Sequence, residues 1–142
     1  MPTTHVLDCS VAAKWILPES DRTPALRLFE QYSAGEIFLI APDLLLTEFA
    51  SLLAKRRRRK QLLAEQAHKA FDLMVQCSPK LYETRPRLRR ALELSLSHDI
   101  SLWDSVYLAL AAEFNCSVIT ADRRLFRAAS RRHPSLKLLM AQ

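Results

Sequence analysis

Along the chain, apolar runs too short for anything but a strand alternate with stretches that repeat at helical spacing. Val6-Leu7 is a short strand-like segment ahead of Asp8. Ser10 is placed to cap a helix over Val11 to Leu17, which Pro18 closes. Thr23-Pro24 supplies a cap and a first-turn proline for a helix through Leu26, Phe29 and Tyr32, with Gly35 at its C-terminal end. Ile37 to Ile40 reads as a buried strand, and Pro42-Asp43 opens a long helix that carries Glu48 and ends in Lys55 to Lys60. A further helix is predicted from Leu63 to Val75, followed by a weak strand at Lys80 to Tyr82. Thr84 and Pro86 start an amphipathic helix through Leu88, Leu92 and Leu96. Ser101 starts another through Trp103, Val106, Tyr107 and Leu110. Ser117 to Thr120 is a strand leading to Asp122 and a final helix, and Leu136 to Leu139 adds an edge strand.

Short strands separated by helices predict an α/β sandwich, with a central, mostly parallel sheet flanked by helices. The 142 residues contain no long linker or repeat, so residues 1–142 are expected to form one domain.

Composition narrows the chemistry. The net charge of +6 favours polyanionic partners such as RNA, DNA or an acidic protein segment. Cys9, Cys77 and Cys116 cannot all pair within one chain and show no C-x-x-C spacing, so a reducing cytoplasm is expected. The N-terminus lacks the basic and apolar stretches of a signal peptide. The longest apolar run, Ile37 to Leu46, is broken by Pro42 and Asp43, so neither export nor a membrane span is expected. A single glycine, Gly35, rules out the glycine-rich loops of P-loop and dinucleotide-binding proteins.

Four acids stand where strands pass into helices or within apolar helical faces: Asp8, Glu48, Asp104 and Asp122. With Leu44 at 0°, Glu48 falls at about 40°, between Leu44 and Leu52 at about 80°. Its carboxylate therefore shares the apolar sector and needs a cation, a partner or a proton. A salt bridge to Lys55 is one such partner. Asp8 and Asp122 follow strand ends, where open parallel sheets collect functional groups, and each is also a natural helix cap. Asp104 follows Ser101 by three residues, which fits a capping box as well as a site. Together the four suit one or two Mg²⁺ ions, with Mn²⁺ able to substitute. Such ions would activate water and neutralise phosphate charge.

These residues lie in segments that resemble the PIN domain family, most closely the toxin ribonucleases of VapBC type. The segments are Val6-Leu7-Asp8-Cys9-Ser10, Ala41-Pro42 followed by Glu48-Phe49-Ala50, Trp103 to Ala111, and Ile119-Thr120-Ala121-Asp122-Arg123-Arg124-Leu125. The resemblance implies a PIN-like α/β/α sandwich and a Mg²⁺-dependent endoribonuclease with Asp8, Glu48, Asp104 and Asp122 as its metal-binding quartet. It also implies Thr120 and Ser10 as hydroxyl helpers, a homodimer, and a cognate antitoxin lying over the active groove. Cys9 stands where threonine is more frequent, and Trp103 where tyrosine is. A core or interface role suits Trp103 better than stacking on a base.

The run Lys55 to Lys60 reads first as a solvated helix end favoured by the helix dipole. Lys55 and Arg59 fall within about 20° of the Glu48 direction, however, so they are candidates for a phosphate path. The three intervening arginines point elsewhere. Arg123 and Arg124, and the group Arg85, Arg87, Arg89 and Arg90, are a second basic source. Two rivals to the ribonuclease are a non-catalytic module that binds RNA or a basic peptide, and a metal-dependent DNA nuclease. A Cys9 or Ser10 nucleophile with His5 or His98 as base lacks any accompanying motif.

Overall fold

Alternation within the strands divides the chain into layers. The computed structural model describes residues 2–139. It contains five strands, β1 (Thr3–Leu7), β2 (Ile37–Pro42), β3 (Lys80–Tyr82), β4 (Ser117–Thr120) and β5 (Leu136–Leu138). They form one sheet in the order β3-β2-β1-β4-β5, and every neighbouring pair is parallel. Seven helices flank it: α1 (Cys9–Ile16), α2 (Arg22–Ser33), α3 (Leu44–Arg58), α4 (Ala64–Cys77), α5 (Leu88–His98), α6 (Leu102–Glu113) and α7 (Arg123–Ala129).

Successive strand residues face opposite layers. Leu7, Leu39, Ala41 and Ile119 pack beneath α1 to α4, whereas Val6, Ile40, Val118 and Leu136 pack beneath α5 to α7. Both faces of the central strands are therefore apolar, which explains why they read as runs rather than as alternating patterns. The α/β/α sandwich predicted above is what forms.

Three helix starts differ from expectation. Ser10 is not a cap: α1 begins at Cys9, and the Ser10 hydroxyl is already committed to Asp8 and to the Ala121 amide. Asp21, with φ 55°, precedes α2, so Thr23 lies inside the helix. Thr84 gives both its amide and its hydroxyl to Asp43 Oδ1, and a 3-10 turn over Arg85–Arg87 leads into α5 instead. Gly35 does end α2 as expected. It adopts φ 76°, and the Glu36 amide reaches back to the Gln31 carbonyl at 2.9 Å.

Order and register together locate the site. From β1 the chain moves outward to β2 and β3, then returns to β4 on the other side of β1. A crevice therefore opens between the carboxyl ends of β1 and β4. Leu7 pairs with Ile119, and the Asp8 amide donates to the Ile119 carbonyl at 3.1 Å, so Asp8 and Thr120 end their strands side by side.

Candidate active site

Asp8 is one of only three buried polar or charged residues among those described; the others are Ser105 and Thr120. Two hydroxyls hold it from below. Ser10 Oγ donates to Asp8 Oδ2 at 2.5 Å and Thr120 Oγ1 donates to the same oxygen at 2.9 Å. Each hydroxyl also accepts a backbone amide of the turn after β4. Ala121 donates to Ser10 at 2.9 Å and Asp122 donates to Thr120 at 3.0 Å. With both hydroxyl protons directed at Asp8, the 3.2 Å approach of Ser10 Oγ to Thr120 Oγ1 has no proton of its own. Neither hydroxyl engages Oδ1.

Thr120 has no exposed surface, so its part is to position Asp8 rather than to touch a substrate. Replacing Thr120 with valine strips one donor from Asp8 and orphans the Asp122 amide. This should cost about 1–3 kcal/mol in urea unfolding, whereas Thr120→Ser should cost less than half as much. Equal losses in the two variants would show that the methyl group, and not the hydroxyl, matters.

Glu48 projects from the second turn of α3 and is half-buried. Its partner is not Lys55. The hydroxyl of Tyr107, itself 1% exposed, donates to Glu48 Oε1 at 2.6 Å. Tyr107 was legible only as an apolar position on α6, although a buried tyrosine hydroxyl always needs a partner. Asp104 lies on the first turn of α6, where its amide donates to Ser101 Oγ at 3.1 Å. The capping motif forms through this backbone group, and the half-buried carboxylate still lines the site. Asp122 is a true cap, because its Oδ1 accepts the amides of Arg124 at 2.9 Å and Leu125 at 3.1 Å. It is the most exposed of the four.

All four acids line one cleft of about 370 Å³ at the carboxyl edge of the sheet. Burial first, then Asp104 and Asp122, push the Asp8 carboxyl up against the two hydroxyls that pull it down. Glu48 is raised to about 7, by burial first and then by Asp8 and Asp104, with Tyr107 opposing. Burial and Asp122 raise Asp104 as well. The carboxylates repel one another and share a wall. Among the described residues, however, no three His, Cys, Asp or Glu side chains are gathered tightly enough to hold an ion as they stand. The quartet shares one cleft and is not drawn into a single coordination sphere.

Nucleophilic catalysis by Cys9 or Ser10 is poorly served. Cys9 is buried, and burial, then Glu48, Asp8 and Glu19 drive its thiol far from ionisation. The lining of the cleft includes no histidine. His98 is instead 2.7 Å from His133, between Nδ1 and Nε2.

Cations flank the acids on two sides. Lys55, Arg56 and Arg59 line a hollow that shares Leu52 with the acidic cleft. Arg56 thus joins its neighbours rather than pointing away, because its guanidinium pairs with Glu19 on the cleft wall. Opposite, Arg123 lines a second hollow that shares Lys14 and Ala121 with the cleft. Lys14 and Glu19 carry no signal in the sequence, since only the packing of α1 beside α3 brings them here. Arg85, Arg87, Arg89 and Arg90 line neither the cleft nor these hollows. Arg87 pairs with Glu113 through two 2.8 Å bonds, and Arg90 with Glu93 at 3.2 Å. Trp103 is 57% exposed, which overturns a core role.

Known proteins share the fold and the family of this chain. The ribonuclease VapC3 of Pyrobaculum aerophilum is 30% identical over 122 residues, covering 84% of this chain and 90% of that protein. The ribonuclease VapC1 of Mycobacterium tuberculosis is 31% identical over 85 residues, 60% of this chain and 63% of its own length. Among solved structures, PAE2754 of P. aerophilum superposes with a TM-score of 0.71 at 17% identity, over 96% of this chain and 84% of that one. The VapBC2 complex of Rickettsia felis, bound to a DNA fragment from its promoter, gives 0.67 at 17% identity, over 96% and 97%. These structures share the fold. A PIN domain is matched over residues 5–131, the span that carries all four cleft acids, and the chain belongs to the PIN domain family.

Proposed function

We propose that this protein is a Mg²⁺-dependent endoribonuclease, the toxin member of a toxin–antitoxin pair. One observation carries the reading: Asp8, Glu48, Asp104 and Asp122, spread over 115 residues, line a single cleft in which burial and neighbouring acids raise the proton affinity of Asp8, Glu48 and Asp104. Relatives named as VapC ribonucleases support the substrate class. The donor set fits the ion, being all carboxylate oxygen, the hard ligand that Mg²⁺ and Mn²⁺ prefer. Asp8, Glu48, Asp104 and the free oxygen of Asp122 are the residues that would hold it. Held there, such an ion would supply activation of a water and neutralisation of phosphate charge.

The chain itself supplies the rest. Ser10 and Thr120 fix Asp8 Oδ2, Tyr107 fixes Glu48, and both carboxylates are thereby oriented before an ion arrives. Lys55, Arg56 and Arg59 on one side, and Lys14 and Arg123 on the other, offer charge for phosphates flanking the scissile bond. Ser10 lines the cleft and, unlike the fully buried Thr120, can be approached by a substrate.

The antitoxin partner, the homodimer and a cytoplasmic setting belong to the same reading. In its support, Leu88, Leu92 and Leu96 leave α5 with an apolar stripe, Leu96 being 76% exposed, and the three cysteines are free. No helix of the described residues is long and apolar enough to cross a membrane. Purified protein should cut single-stranded RNA with Mg²⁺ or Mn²⁺ and stop when EDTA is added. The same assay on DNA separates the two nuclease readings. RNA that is bound but never cut, with no Mn²⁺-induced thermal shift, would leave a binding module instead.

A further inference from the structure

Beside the acidic cleft lies a hollow of about 440 Å³ with a different character, lined by Leu44, Thr47, Glu48, Ser51 and Trp103. Glu48 belongs to both, so whatever occupies the hollow sits one side chain from the reacting phosphate. Its lining holds no cation, unlike the hollow beyond Leu52 that holds Lys55, Arg56 and Arg59. A phosphate is therefore favoured on that far side and disfavoured here. What this hollow does present is an indole 57% exposed, an aliphatic wall at Leu44, and the exposed hydroxyls of Thr47 and Ser51.

Leaving a tryptophan in water forgoes a large apolar burial, and the ring sits on the residue immediately before the cleft acid Asp104. A flat aromatic face, an apolar side wall and hydroxyls that both donate and accept match the faces and edges of a nucleobase. We propose that Trp103 is the stacking platform of a nucleobase subsite, holding the base next to the phosphodiester bond that is cut. This rests on the ribonuclease reading and names how that same site grips its substrate. Thr47 and Ser51 meet the edge of the stacked base, while the strand leaves across the cleft toward Lys55 and Arg59.

The two tryptophans make the test direct. Trp15 is 6% exposed and packed at 4.9 Å from Phe29, so Trp103 dominates any fluorescence change at the surface. In an Asp8→Asn background with Mg²⁺, binding of a single-stranded RNA oligonucleotide should quench tryptophan emission and shield it from iodide. Moving one abasic nucleotide along the oligonucleotide should abolish the quench at a single position. Trp103→Ala should weaken intact RNA about tenfold and lose that position-specific penalty, with Trp103→Phe in between. In the parent background Trp103→Ala should raise KM by a similar factor.

Unchanged affinity and KM in Trp103→Ala would overturn the subsite while leaving the nuclease standing. So would an indole still open to iodide in the complex. Conversion of a dimer to a monomer with RNA affinity intact would assign Trp103 to contact between copies. Loss of antitoxin binding alone would assign it to the antitoxin. If the parent protein binds RNA with the abasic signature but never cuts it, base stacking on Trp103 stands, while the nuclease reading and the place of the base beside a cut bond fall.

Discussion

Asp8→Asn is expected to lower RNA cleavage by at least about a thousandfold, while leaving the metal-free protein as stable as the parent or more so. The two effects separate because Asp8 is buried among like charges. Burial, Asp104 and Asp122 all work against its ionised form, so a neutral amide relieves a cost in the folded state. The same carboxylate is the centre of the proposed ion site, and its loss removes the ligand that Ser10 and Thr120 hold in place. Thermal unfolding and cleavage, measured on one preparation with and without Mn²⁺, read both effects. The parent should gain melting temperature with Mn²⁺ and Asp8→Asn should not. Cleavage by a folded Asp8→Asn protein at the parent rate would end the assignment of Asp8 as a ligand.

Glu48 produces the second large effect, on pH dependence. Its carboxyl rises from 4.5 to about 7 on folding, so the folded state binds its proton more tightly than the unfolded chain does. For an acid shifted upward, the stabilisation is fully present below pH 4.5 and is lost as pH climbs through about 7. After discount for solvent screening of this half-buried group, the loss is on the order of 2 kcal/mol. His5 and His133 act in the opposite sense, because burial lowers both from 6.5 and stability from them falls as pH drops below that value. Subtracting the stability curve of Glu48→Gln from that of the parent isolates the carboxylate. The amide keeps an acceptor for Tyr107 and has nothing to titrate between pH 4 and 8. The difference should slope toward lower parent stability from about pH 5 to 7.5 and flatten when Mg²⁺ is added. A flat difference in metal-free buffer would mean that Glu48 is not strained by its neighbours.

Much of this was legible beforehand, for identifiable reasons. Leu39-Ile40 and Val118-Ile119 place apolar residues on both faces of the sheet because helices cover both faces, so these runs announced a parallel sheet. Asp8 and Asp122 stand at strand ends, and Glu48 shares a sector with Leu44 and Leu52; such local geometry follows from residue spacing alone. The cap roles were harder to read, since a hydroxyl near a helix start serves whichever partner the fold brings closest. Ser10 and Thr84 were taken by Asp8 and Asp43, whereas Ser101 and Asp122 do cap.

By itself the sequence determined the succession of strands and helices, the basic balance and the place of Glu48 in an apolar helical sector, because periodicity and composition are properties of the chain. Only the tertiary structure decided that Tyr107 holds Glu48, that Thr120 stands beneath Asp8, and that Lys14 and Glu19 line the cleft with Arg56 in the hollow beside it, while the arginines of α5 line neither. It alone left Trp103 in water beside Glu48. Each of these is a contact between residues distant along the chain, and sheet order with helix packing creates it.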